Sequence, residues 1–418
     1  MIKNEVIIIV QTALLLNIGT GAIAKPDERY MITDHGAVAD GQTLNTKAIQ
    51  SAIDLCMSHG GGTIVVPQGI FLSGAIFLKQ GVNLQIEKNG VLKGTVNPED
   101  YPQVFTRWEG IEGEWTSAFI NVFDMTGVKL TGEGTIDGSG DQWMERYPRN
   151  CIELQVGRPR MIAIQNCTDV LVSGLSLKNQ ACWGLFLLYS RDIIIENLFI
   201  RAEHNIISSD GIDIDSSEDI FITGCDIDVN DDCIAIKSGK DEDGRRVNRP
   251  AEEILIEKCR FRYGHGGVSM GSEMSGGIRN VEIRNCIVEA DNWAPIRFKS
   301  QPSRGGIVEN ITYRDIVLND TRKAFEFNME WRMRPPIAPP SDPLPVVRNV
   351  NIINVSGTVQ SVGDMHGLKD SPIQNVTFTN CEISAQQGFI LENVMGLDIS
   401  GLTLKVEEGE AIIYKNSQ

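Results

Sequence analysis

From about residue 125 to the C-terminus, apolar side chains recur at alternate positions within one repeated frame. The frame reads acidic residue or Asn, apolar, variable, apolar, variable, commonly Asn or Gly, then apolar again. Copies begin at Asp169, Asp192, Asp219, Glu253, Asn280, Asn310, Asn349 and Asn375. A period of two over such short runs predicts strands with one buried face. Copies follow one another at roughly 22 to 39 residues, a repeat length typical of solenoids, and the excess falls in Gly-rich and charged stretches that read as loops. No unit of this size buries its own apolar face, so neighbours must stack. The units are β and carry no helical period, which predicts an all-β, single-stranded parallel β-helix.

A second strand follows each central copy. Segments 211–215, 233–237, 267–271, 295–299 and 324–328 align without gaps, so that Ile212, Ile234, Val268, Ile296 and Phe325 stack inward. The residues just before these strands then fall at one edge of three successive coils: Asp210, Asp231 with Asp232, and His265 with Gly266. Arg297 and Lys299 face outward from the next coil. With stacked strands about 4.8 Å apart, the set spans about 15 Å, the width of a few sugar units. Three carboxylates beside an imidazole and two cations suit acid–base cleavage of a sugar chain that itself carries carboxylates. An Asp-Asp pair or a Gly-His-Gly alone is ordinarily a solvated turn; the shared register of all four segments is what carries the reading.

Composition changes the picture in three ways. Of 418 residues, 42% are apolar and only 6% aromatic, and 41 are glycine, which suits a long narrow core with tight corners. A net charge of −17 opposes a polyanion at long range, so attraction must be local, through Lys237, Arg297, Lys299, Arg304, Arg322 and Lys323. No nucleic-acid partner is expected. The nine cysteines are odd in number, and Cys225, Cys259, Cys286 and Cys381 share one apolar slot of the repeat, as small hydrophobes rather than bridges. Without CxxC or His/Cys ligand spacing, no metal site is expected. Asp213 and Asp215 face outward as hydrogen-bonded ladder residues, with a calcium site as the alternative.

Residues 1–24 read as a signal peptide, with Lys3, the apolar run Val6 to Leu16 and a small-residue site at Ala22 to Ala24. A buried N-terminal strand is the alternative. An exported protein follows, periplasmic, surface-bound or secreted. No other stretch could span a bilayer. Residues 25–418 read as one domain with no internal linker, expected to act as a monomer. Within it, residues 25–94 form the cap and first coils: Asn45 or Thr46 starts a helix whose apolar face is Ala48, Ile49, Ala52, Ile53 and Cys56, and which closes the solenoid's end.

The Asp40-Gly41 turn, this helix, the segment Gly60 to Pro67 and the four charged segments together resemble glycoside hydrolase family 28, the polygalacturonases and their relatives. The resemblance covers essentially the whole mature chain. It implies a right-handed β-helix of the pectin-lyase type that cleaves α-galacturonosyl linkages of pectin or oligogalacturonides by inversion, with no metal or other cofactor. Asp231 is then similar to the general acid, Asp210 and Asp232 to the carboxylates that position and deprotonate water, and His265 to the residue that holds their ionisation. Three adjacent carboxylates cannot all ionise easily, so one retained proton on Asp231 agrees with that division. Arg297 and Lys299 correspond to ligands for the sugar's carboxylate. Ser208-Ser209 and Phe298 depart from the family's Asn-Thr and Ile, which alters the surroundings of the acids. One-coil stacking favours the roughly 5 Å carboxylate separation of retaining enzymes over the wider inverting one, whereas the resemblance implies inversion.

The insertion 239–250 resembles one in bacterial members that act at chain ends. It predicts that Arg245, Arg246 or Arg249 walls off the cleft, the alternative being a plain charged loop. Trp331, with Arg332 and Arg334, is a second candidate wall. Rival functions are a rhamnogalacturonan-directed hydrolase of the same family, a calcium-dependent pectate lyase and a noncatalytic glycan-binding β-helix.

Overall fold

The computed structural model describes residues 28–147, 157–332 and 337–415. The expected signal peptide and Arg334 lie outside them. Among the described residues no helix is long and apolar enough to cross a membrane.

The chain winds into stacked coils, each contributing parallel strands to three ladders. One ladder is built from the repeat itself and runs through Thr168–Ser173, Arg191–Glu196, Glu218–Thr223 and Ala251–Glu257. A second, of short strands, follows it around the corner. The third holds the strands Leu185–Leu188, Ile212–Asp215, Asp232–Lys237, Gly264–Met270 and Asn292–Lys299, then the last turn of Ile307–Asn328. Its register pairs Ile212 with Ile234, Ile234 with Val268, Val268 with Ile296 and Ile296 with Phe325, as the alignment predicts. All five are buried.

The repeat's polar slots are explained by backbone geometry. Its first residue is left-handed in all eight copies, with φ from 53° at Glu253 to 57° at Asp169 and Asn310. Its sixth residue, whether Gly174, Asn197, Gly224, Lys258, Asn285, Asp315, Asn354 or Asn380, also has positive φ. Asn, Asp and Gly tolerate that region best. Along the outside, Asn375, Asn349, Asn310 and Asn280 pass side-chain hydrogen bonds from coil to coil at 3.1–3.2 Å. The eight described cysteines are all buried, and Cys259 and Cys286 each donate to the carbonyl two residues earlier at 3.3 Å.

The capping helix spans Thr46–Ser58 and buries Ile49, Ala52, Ile53 and Cys56. Asn45 does not cap it through its side chain. That amide instead accepts from the Val38 amide (2.7 Å) and donates to the Val38, Thr43 and Leu72 carbonyls, tying the first coil together.

Candidate active site

At the N-terminal edge of the third ladder, coil stacking brings Asp210, Asp231 and Asp232 together, with one oxygen of each within 4.8 Å of the others. His265 Nδ1 lies 3.4 Å from Asp231 Oδ1. Asp232 is the most heavily paired. It receives Lys299 Nζ at 2.5 Å, Ser269 Oγ at 2.8 Å and Arg297 Nη1 at 3.2 Å. Its partner across the ladder is Gly266, where a Cβ would stand 2.8 Å from Asp232 Oδ1.

Arg297 and Lys299 do face away from the core, but Arg297 is not exposed. Its Nε donates to Glu326 at 2.7 Å and its guanidinium lies 4.7 Å from the Trp331 ring centre, which covers it. Trp331 is thus a wall of the site, as expected. Asp210, Asp231, His265, Arg297, Lys299, Glu326 and Trp331, with Trp293 and Ser208, line one cavity of about 520 Å³, and Asp232 is buried behind them.

Another wall comes from outside the repeat. Strands Gln103–Trp108 and Ile111–Thr116 form an antiparallel hairpin with Glu109 and Gly110 at its turn, both at positive φ, the geometry of a tight two-residue loop. Trp108 is stacked between Trp115 (4.4 Å) and Trp183 of the coil body (4.5 Å). Arg107, fully buried, donates to Asp215 Oδ1 at 2.7 Å and Ser216 Oγ at 2.8 Å. The hairpin therefore crosses the C-terminal ends of the third ladder's strands and brings Glu109 into the cavity.

Several sequence expectations need correction here. Asp213 and Asp215 do face outward, but they are buried rather than solvent-exposed, each against a cation, Lys237 and Arg107 respectively. Lys237 lines the cavity, yet its ammonium is already held 2.7 Å from Asp213, 3.7 Å from Glu273 and 3.9 Å from Asp210, and lies 3.6 Å from the Trp183 ring centre. Arg245, Arg246 and Arg249 do not line the cavity. Arg245 donates to the Ser303 and Arg304 carbonyls, Arg246 pairs with Glu112 and Asp243, and Arg249 donates to the Tyr189 carbonyl. The insertion, a short helix Asp241–Val247, contributes by bracing the hairpin: Lys240 N donates to Gly110 O at 2.8 Å. The basic residues are clamps, and the wall is the hairpin.

The ionisation pattern also differs from the expectation of a proton on Asp231. Asp210 is the carboxyl held well above its usual range, first by burial and then by the neighbouring Asp213 and Asp231 carboxylates. Burial opposes ionisation of Asp231 too, but the bond to His265 brings it below the usual range. Asp232 is lowered further: Lys299 and Arg297 together outweigh its burial. His265 is raised, chiefly by its bond to Asp231. Of the three, Asp210 is thus the carboxyl whose surroundings most favour the protonated form. Where three carboxylate oxygens converge a cation could sit, but Lys299, Arg297 and His265 already supply the positive charge.

This constellation can protonate a leaving oxygen, activate water and bind an anionic sugar. Residues 56–400 match the profile of glycosyl hydrolases family 28. The chain belongs to that family, and so is a glycoside hydrolase. A probable polygalacturonase of Vitis vinifera is 31% identical over 84% of this chain and 73% of its own. An exo-poly-alpha-D-galacturonosidase of Dickeya chrysanthemi is 26% identical over 70% of this chain and 55% of its own. Among solved structures, a hyperthermoactive exopolygalacturonase from Thermotoga maritima superimposes with a TM-score of 0.82 at 30% identity, covering 91% of this chain and 92% of that one.

Beyond the sequence-derived set, Glu109, Trp183, Glu273, Trp293 and Glu326 also line the cavity. Glu326 shares the aligned strand that carries Phe325 and could have been found there; the hairpin lies outside the repeat, so only its paired tryptophans and Glu-Gly turn signalled it.

Proposed function

We propose that this glycoside hydrolase cleaves α-galacturonosyl linkages of pectin from the chain end, with inversion, as an exported monomer. The observation that carries the reading is the convergence of Asp210, Asp231 and Asp232 within 4.8 Å, directly beside Arg297 and Lys299. The cations recognise the substrate's carboxylate, and the acids perform hydrolysis on the adjoining bond. Relatives named as polygalacturonases support the substrate class. End action is supported by the hairpin across the strand ends and by the likeness to the Thermotoga exopolygalacturonase. Export rests on the sequence of residues 1–24 alone.

In this reading Asp231 donates to the leaving oxygen, while Asp210 and Asp232 hold the water. An arriving galacturonate adds negative charge next to Asp231 and draws Arg297 and Lys299 away from Asp232. Both changes favour protonation near the bond to be cut. Asp210, the carboxyl whose surroundings most favour protonation, has an oxygen within 4.8 Å of one on Asp231. The 4.8 Å figure bounds the nearest oxygens, so the carboxyl separation averaged over both oxygens is at least as large as the nearest approach.

The test is Asp231→Asn assayed on two substrates. Reducing-sugar release from oligogalacturonide should fall at least about 1000-fold, the scale of general-acid loss, with circular dichroism unchanged. α-Galacturonosyl fluoride, whose leaving group needs no proton, should still be turned over. Equal loss on both substrates would remove Asp231 from the acid's role.

A further inference from the structure

Glu273 follows the strand that carries His265 and is 3% exposed, yet it lines the cavity. Among the described residues nothing donates a hydrogen bond to its Oε2. The cation that pairs with it, Lys237 Nζ, is 3.7 Å away and sits closer to Asp213. A buried carboxylate with an unfilled acceptor is costly unless something outside the protein supplies the donor.

The side chain is held in place from two sides. Its own carbonyl accepts from Ser238 N at 2.7 Å. The hairpin turn packs on it so closely that a Cβ on Gly110 would come within 2.7 Å of Glu273 Cγ. Burial opposes its ionisation, but Lys237, then Arg304, Lys299 and Lys240 keep it charged. An ionised carboxylate only accepts. It repels a carboxylate and attracts a hydroxyl.

We propose that Glu273 is a substrate-binding residue that accepts a hydrogen bond from a ring hydroxyl of the sugar lying against the hairpin turn. The sugar's acid group then goes to Arg297 and Lys299 and its hydroxyl face to Glu273, so the two ends of the charge pattern fix the ring's orientation. The inference rests on the galacturonan reading above and names how that site selects its terminal residue.

The experiment compares wild type, Glu273→Ala and Glu273→Gln on an oligogalacturonide and on three analogues lacking the 2-, 3- or 4-hydroxyl of the non-reducing-end residue. On the parent, Glu273→Ala should lower kcat/KM about 100-fold, as for a lost bond to a charged acceptor. Glu273→Gln, which keeps an acceptor oxygen, should lose less than about tenfold. On one analogue the wild type should already show the loss, and Glu273→Ala should add less than about threefold. A penalty equal on all four substrates would mark general damage and overturn the inference while leaving the hydrolase reading intact. So would no penalty on the parent. A wild type that releases no galacturonate from the parent would refute both.

Discussion

Replacing Gly266 by Ala tests how tightly the cluster is built. The added methyl would stand 2.2 Å from Ser269 Oγ, 2.8 Å from Asp232 Oδ1 and 3.3 Å from Arg297 Cδ. The Ser269 hydroxyl must swing away, which breaks its 2.8 Å bond to Asp232. A bond to an ionised carboxylate contributes about 1.5–3 kcal/mol, so that loss alone predicts roughly a tenfold or larger fall in kcat. The methyl also presses on Asp232 and Arg297. A displacement on the order of 1 Å at a reacting group costs about 100-fold, so the two effects together predict at least about 100-fold. Ser269→Ala separates them, since it deletes the bond without adding bulk, and should lose only about tenfold. The assay is initial-rate reducing-sugar release with circular dichroism and melting as controls. If Gly266→Ala stays within about twofold of wild type and folded, the packing around Asp232 is not what positions it.

Other outcomes follow from the same geometry. Asp210 has its folded pKa raised, so its ionisation opposes folding above the unfolded value of about 3.9, increasingly up to the folded pKa. Asp210→Asn should therefore raise the melting temperature at pH 7 while abolishing turnover, and the gain should vanish as pH falls toward about 4. A gain independent of pH would contradict the assigned protonation. Arg246→Ala breaks only the pairs of an exposed guanidinium with Glu112 and Asp243, outside the cavity, and should change kcat/KM by less than about twofold; a loss above tenfold would return the insertion's arginines to the site. Proton NMR of the first product should show the β-anomer, the result of inversion, whereas an initial α-anomer would mean retention.

The acids were legible because a β-helix converts sequence register into spatial register. Once Ile212, Ile234, Val268 and Ile296 are stacked, the positions of Asp210, Asp232 and Gly266 follow without further information. Lys237 shows where that logic stops. Its outward direction is in the register, but its partners Asp213 and Glu273 come from other coils, and only the assembled structure shows that they share its ammonium. The hairpin has no repeat to align with, so the sequence points instead to the arginines of the insertion that braces it. Proton placement was least accessible, because it depends on small differences in burial and pairing among three adjacent carboxylates.

The most direct test of the account is the product profile of wild-type enzyme on a homogeneous oligogalacturonide, sampled from the earliest turnover by anion-exchange chromatography. A hydrolase working from a closed-off end should yield galacturonate and the chain shortened by one residue. A ladder of intermediate oligomers at the first time point would contradict end action, and products absorbing in the ultraviolet would contradict hydrolysis by these three aspartates.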